Sequence, residues 1–254
     1  MAQMLLYEKI TPLSRNDHQD LKVRADSRDF AFARGSHFAP LVGAEFQQAA
    51  RDLPILFTVG EEAAGAIALL GIEPGRNLFV DANGAWAEGV YVPAFIRRYP
   101  FVLGRAGGGE AAPGDTGGDE AERLTVCFDS AWSGIGPEVD GDRLFTEAGE
   151  ESDLLRRQVA FLQEYRRESE RTERCVRRLQ ELGLLTAREI QLTTADGGSQ
   201  VLRDFHVVDE SRLAALDQDA IGELHAEGYL GWCHAQLISL GNLGRLQRRT
   251  GDRR

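Results

Sequence analysis

Between Glu150 and Leu182 apolar residues recur at three- and four-residue steps: Leu155, Val159, Leu162, Tyr165, Val176, Leu179 and Leu182. That spacing predicts one amphipathic helix. At 1.5 Å per residue it would run for about 50 Å. A rod of this length needs a long apolar platform, which the rest of the chain must supply. Ser169 and Thr172 interrupt the stripe and predict a bend or a polar contact at its middle. On the opposite face Arg166, Arg167, Arg171, Arg174, Arg177 and Arg178 interleave with Glu164, Glu168, Glu170 and Glu173. That pattern suits i,i+4 pairing on a solvated face. The acids cancel most of the arginine field, which argues against a nucleic-acid face. Glu147, Glu150 and Glu151 read as an acidic helix start, where negative charge meets the dipole favourably. Gly183 fits the C-cap.

The residues before this helix read mainly as strands. Leu53–Thr58, Ala66–Leu70, Leu78–Asp81 and Leu124–Asp129 are short apolar runs bounded by Gly, Pro, Asn or Asp. Asp81, Asn83 and Gly84 supply turn chemistry. Short links such as Pro74-Gly75 favour antiparallel neighbours. An early helix is expected over Gly43–Leu53, with Phe46, Ala49 and Ala50 on one face. Gly104–Glu122 is rich in Gly, Ala and acid, and reads as a mobile loop, because it cannot bury enough apolar area to offset its ordering entropy. After the long helix, Ile190–Thr193 and Val201–Val207 flank Asp196-Gly197-Gly198, a hairpin signal. Asp209 and Asp217 are placed to cap two short helices. Tyr229–Leu246 reads as the last helix, followed by a basic, frayed tail. The expected fold is α+β: one domain over 1–254, with a β-rich half (1–149) of antiparallel or mixed sheet and a helix-rich half (150–254) carrying one hairpin.

Composition excludes several classes. The chain has 254 residues, is 43% hydrophobic and carries a net charge of -11. Such acidity disfavours binding to nucleic acid or to anionic membranes, since both depend on neutralising phosphate. No apolar run approaches the roughly 18 residues a membrane helix needs. The N-terminus lacks the charged and apolar regions of a secretory signal. Cys127, Cys175 and Cys233 are far apart, odd in number and without zinc-ligand spacing, so three reduced, buried thiols are expected. These features together point to a cytoplasmic protein.

Motifs for chemistry are sparse. His225 and His234 are nine apart, about 180° around a helix, and no HxxxH or HExxH pair exists. There is no GxSxG elbow, and Ser130 and Ser133 have no base near them in sequence. The triple glycine at 107–109 lacks the rest of a phosphate-binding loop, and no dinucleotide fingerprint follows a strand. Neither a cofactor nor a metal is expected. The densest chemistry lies in Asn77–Phe101, where Phe79, Trp86, Tyr91, Phe95, Tyr99 and Phe101 surround Asp81, Arg97 and Arg98. Tyr91, Phe95 and Tyr99 step by four, the spacing of a helical face packed inward with arginines at its rim. The same residues also suit a ligand or partner site. Paired arginines would engage a carboxylate or phosphate, and Trp86 and Tyr91 would act as stacking walls. The candidate binding residues are therefore Asp81, Trp86, Tyr91, Arg97, Arg98 and Tyr99.

ALLGIEPGRNLFVDANGAW followed by YVPAFIRRYPFVLG resembles the signature region of SapC-like bacterial proteins. LPILF, VCFD with its following serine, LFTEAGEES, FHVVDESRLAAL and GYLGWCHAQLISLGNLGRL extend the likeness from about Tyr7 to Leu246. The family takes its name from surface-layer loci, and members are often grouped with TonB-dependent receptors, cupin-like proteins and halogenase-like flavoproteins. The peptide-permease label some members carry does not suit a chain without a membrane span. The family supplies no established catalytic residues to carry over. The resemblance implies an accessory or binding protein beside a peptide or saccharide uptake or modification system, with a protein partner or an anionic or aromatic small ligand. The alternatives are an enzyme using His206 with Asp209, or His37, and a surface-layer structural protein.

Overall fold

A computed structural model describes residues 5–24, 28–60, 64–105, 124–193 and 198–252. The strands are β1 (Ile10–Pro12), β2 (Lys22–Val23), β3 (Phe38–Leu41), β4 (Ile55–Thr58), β5 (Gly65–Leu69), β6 (Phe101–Arg105), β7 (Leu124–Asp129), β8 (Ile135–Gly136), β9 (Asp142–Arg143), β10 (Leu185–Thr193) and β11 (Ser199–Val208). The helices are α1 (Arg15–His18), α2 (Phe46–Ala49), α3 (Ala94–Arg97), α4 (Asp153–Glu181), α5 (Glu210–Ala214), α6 (Gln218–Ala226), α7 (Tyr229–Ser239) and α8 (Leu243–Asp252). The protein is α+β, as its sequence predicts.

All described strand pairs are antiparallel. They form three sheets, ordered β1-β7-β6, β10-β11-β4-β5-β3 and β8-β2-β9. The five-stranded sheet draws β3, β4 and β5 from the first half of the chain and the β10–β11 hairpin from the second. The hairpin joins β4 through the His206–Phe57 pair. Gln236 on α7 reinforces this junction: its amide oxygen accepts from the Val208 N–H, and its nitrogen donates to the Ile55 carbonyl, both at 3.1 Å.

The long helix is α4, and it does find two platforms. Leu155 and Leu162 pack with Leu21, Val23, Phe101, Phe128 and Leu144 in one cluster. Cys175, Val176 and Leu179 pack with Phe46, Ile55, Phe57, Leu70 and Trp232 in the other. The interruption in the stripe falls between them. Thr172 Oγ1 accepts from the Gly43 N–H at 2.7 Å and donates to the Glu168 carbonyl at 2.6 Å, which is the predicted polar contact. Gly43 is forced, because a Cβ there would meet the Trp232 ring at 2.3 Å. Arg166–Glu170, Arg167–Glu164, Arg171–Glu168 and Arg177–Glu173 pair along the outer face.

Ser152 caps α4 by accepting from the Leu155 N–H, and Gly183 ends it with φ +66°. The helix thus begins at Asp153, later than the acidic run suggests, because Glu151 is held in a bridge with Phe145. Asp209 and Asp217 cap α5 and α6 as expected. Three further expectations need correction. Leu78 and Phe79 form a turn and Val80 makes a single bridge, to Trp86; these three are buried, and Leu78–Asp81 is not a strand of a sheet. The last helix is divided by a 3-10 turn at Leu240–Asn242, where the Asn242 side-chain amide donates to the Ala50 carbonyl at 2.7 Å. The basic tail is helical to Asp252, anchored by buried Leu246 and Thr250. Residues 106–122 of the expected loop and Asp196-Gly197 of the hairpin turn lie outside the described residues. All three cysteines are free and buried.

Candidate functional site

Pro93 and Pro100 bound the aromatic–arginine stretch. Pro93 starts α3, and the residue before Pro100 is pushed away from helical geometry, so only Ala94–Arg97 is helical. Tyr91, Phe95 and Tyr99 therefore do not share one helical face. Phe95 is buried, while Tyr91 and Tyr99 are partly buried. The two arginines also part company. Arg97 is at the surface, whereas Arg98 is only 5% exposed and is not at the rim. Its guanidinium lies 4.4 Å from the Phe95 ring centre, 5.1 Å from Tyr165 and 5.7 Å from Tyr7. Flat, weakly hydrated guanidinium suits such a ring cage, where an ammonium would not.

Buried Glu45 clamps the start of the stretch. Its Oε1 accepts from the Tyr91 hydroxyl at 2.7 Å and the Ala94 N–H at 2.6 Å, and its Oε2 accepts from the Val42 N–H at 3.2 Å. Arg97 closes the network from outside, donating to the Tyr91 hydroxyl at 3.1 Å and the Val92 carbonyl at 3.0 Å. Burial, then the charge of Glu45, pushes the Tyr91 phenol up to about 12 from 10.0. The neutral phenol is thus the form that folding favours. Its contribution to stability is whole below pH 10 and is lost as the pH rises from 10 to 12. Urea unfolding followed at pH 9 and pH 11 should show that loss, and Tyr91→Phe should reduce it.

Tyr99 leads to an open feature. Its hydroxyl donates to Asp129 at 3.1 Å, and burial followed by the Asp129 charge raises its pKa. Its ring stacks on Phe32 with centres 3.9 Å apart and planes 13° apart, and meets Trp132 edge-on at 5.6 Å. Phe32 continues to Phe30, Phe30 to Trp86, and Trp86 to Phe79, giving an unbroken row of rings. Phe30, Phe32, Tyr99 and Trp132 line a cleft of about 220 Å³, with Arg24, Asp29 and Arg97 as its charged members. Trp132 is seated on Gly134, where a Cβ would strike the indole at 2.3 Å. The Arg24 N–H donates to the Gly134 carbonyl at 2.9 Å, which fixes Arg24 beside that turn.

Of the six residues singled out from sequence, the structure brings Arg97 and Tyr99 to the cleft. Trp86 stands behind Phe30 in the ring row. Asp81 holds the turn before it, its Oδ1 accepting from the N–H groups of Asn83 and Ala85. Tyr91 is in the Glu45 clamp and Arg98 in the ring cage. Phe30, Phe32, Trp132 and Arg24 escaped sequence reasoning. They come from segments distant in the chain, and only the DSAWSG run hinted at one of them.

The other chemical candidates lie away from the cleft, and the buried His206 Nδ1 has no hydrogen-bond partner among the described residues. A wider groove of about 550 Å³ runs between the β10–β11 hairpin and α7, lined by Asp209, Val207 and Leu237 among others, and by no histidine. The Asp209 carboxylate accepts from the Ser211 and Arg212 N–H groups as a helix cap, with no bond to His206. His37 lies edge-on to Phe38, and burial lowers its pKa. Ser130 exchanges a hydrogen bond with Thr11 and donates to the Lys9 carbonyl. Among the described residues no group of three or more His, Cys, Asp or Glu is placed to hold a metal ion. No described helix is long and apolar enough to cross a membrane.

Fold and site thus define an α+β protein with a small ring-lined, arginine-edged cleft. The chain belongs to the SapC family, whose model matches residues 13–246. No curated protein and no solved structure matches it.

Proposed function

We propose that this SapC family member is a cytoplasmic binding or accessory protein without catalysis of its own, acting beside an uptake or modification system for peptides or saccharides. Its ligand would enter the cleft between Phe32, Tyr99 and Trp132. Asp81, Trp86, Tyr91 and Arg98 would hold the walls, while Arg97 and Tyr99 would make contact. One observation carries this reading. On a chain of net charge -11, the described residues of the cleft gather two arginines against one aspartate, a local +1, beside five aromatic rings. Exposed arginine beside aromatic surface is the usual make-up of a binding hot spot.

Arg98 is too buried to serve in the test, so the informative variant is Arg97→Ala with Trp132→Ala. Native and variant protein would be used to capture small molecules and proteins from the native host, with mass spectrometry of what is retained. The native protein should hold a partner or ligand whose recovery falls by on the order of tenfold or more in the variant, as expected for losing two contacts of about 1 kcal/mol each. Equal recovery by a variant of unchanged melting temperature would contradict the proposal.

A further inference from the structure

We infer that the cleft takes a small aromatic monocarboxylate, a single six-membered ring joined through one or two methylenes to a carboxylate; this rests on the binding reading above. Size is the first argument. An apolar cavity of about 150 Å³ is enough to admit benzene. A cleft of about 220 Å³ therefore has room for one such ring with a carboxylate on a short linker.

The lining supplies the second argument. Most of its lining side chains are rings or aliphatic groups, including Val23, Ile96, Leu154 and Trp132, with Arg24, Asp29, Arg97 and Gln158 as the polar ones. The Tyr99 hydroxyl, the most obvious polar group on the ring wall, is committed to Asp129. A saccharide would bring several hydroxyls, which ring faces cannot answer and which would have to share those four polar side chains. An aromatic ring brings none. Such rings settle against Phe, Tyr and Trp in tilted or offset contacts worth about 0.5–1.5 kcal/mol beyond burial.

Charge is the third argument. Arg24 and Arg97 attract an anion, and Asp29 cancels one of the two positive charges. Among the described residues the remaining +1 balances one carboxylate, whereas a dianion such as a phosphate monoester would be only half neutralised. Arg24 is the more available of the two partners, because Arg97 already donates to Tyr91 and Val92. The same chemistry occurs in a free arylalkanoic acid and in the C-terminal phenylalanine of a peptide.

The full-length protein would be titrated by calorimetry with 3-phenylpropionate, 3-phenylpropionamide, inorganic phosphate and acetyl-Gly-Gly-Phe with a free carboxylate. The acid should bind at least tenfold more tightly than the amide, the scale of one charge-assisted hydrogen bond. Arg24→Gln should erase the difference between acid and amide, and Trp132→Ala should weaken both. Peptide binding tighter than the free acid would assign a peptide C-terminus; weaker binding would assign a free acid; both support the inference. Equal affinity for acid and amide, still dependent on Trp132, would overturn the anion assignment and leave the cleft as a binding site. Phosphate binding tighter than the acid would overturn the ring assignment. Binding indifferent to both Arg24 and Trp132 would overturn the inference and count against the cleft itself. No binding by any probe would overturn the ligand class, while the Arg97/Trp132 capture comparison would still decide whether the cleft binds something else.

Discussion

Glu45→Ala is expected to lower the free energy of unfolding by about 3–5 kcal/mol, the cost of removing one partner from a buried charged network. Glu45 is 5% exposed and accepts from the Val42 and Ala94 N–H groups and the Tyr91 hydroxyl. Alanine leaves all three donors without that acceptor, and each unsatisfied buried donor costs about 1–3 kcal/mol. Arg97, 3.6 Å from Oε1, loses its only carboxylate in this network. Glu45→Gln keeps an acceptor oxygen and should cost about 1–2 kcal/mol. Urea unfolding at neutral pH, followed by circular dichroism, measures both. If Glu45→Ala cost less than about 1 kcal/mol, the value of one ordinary hydrogen bond, the clamp would not be what positions Tyr91 and α3.

Asp129→Ala should cost a similar amount, about 3–4 kcal/mol, for a related reason. Asp129 is fully buried at the end of β7. Its Oδ1 accepts from the Lys9 and Ala131 N–H groups, and its Oδ2 from the Glu8 N–H and the Tyr99 hydroxyl. It therefore ties the N-terminal strand, the turn leading to Trp132 and the Tyr99 ring to one carboxylate. Asp129→Asn retains one acceptor and should cost about half as much. The alanine variant should also disturb the stacked Phe32–Tyr99 pair. A near-ultraviolet circular dichroism spectrum unchanged from native, in a variant that is still folded, would count against that coupling.

Local signals in the sequence were strong enough to locate much of this fold. The stripe from Leu155 to Leu179 gave α4, because a helical period repeated over many turns has no good alternative partner geometry. Asp209, Asp217 and Gly183 announced their caps through side-chain reach and positive φ. Leu78–Asp81 misled because a short apolar run is buried equally well in a turn packed on Trp86. Its backbone partners lie within the neighbouring turn and in Leu70, and only tertiary contacts reveal them. The candidate site was half legible. Arg97 and Tyr99 stood out by local composition, and Arg98 looked equivalent to Arg97. They diverge because one turn of helix between two prolines sends one outward and the other into a cage formed by Tyr7, Phe95 and Tyr165, residues up to 158 positions apart. Phe30 and Phe32 come from one short segment and Trp132 from another about 100 positions on, so no local window joins them to Arg97 and Tyr99.

Ligand binding in the cleft between Phe32, Tyr99 and Trp132 can be followed at the tryptophan indoles. The chain has three tryptophans, so three indole N–H signals report on three places. Trp132 lines the cleft, Trp86 lies behind Phe30, and Trp232 is buried against Phe46 and Tyr229 in the core. The direct measurement is a nitrogen–proton correlation spectrum of the folded protein during titration with 3-phenylpropionate. A saturable shift is expected at the Trp132 indole, with a smaller one at Trp86 and none at Trp232. A Trp132 signal that stays in place to millimolar ligand, or that moves no more than Trp232, would contradict binding in the cleft.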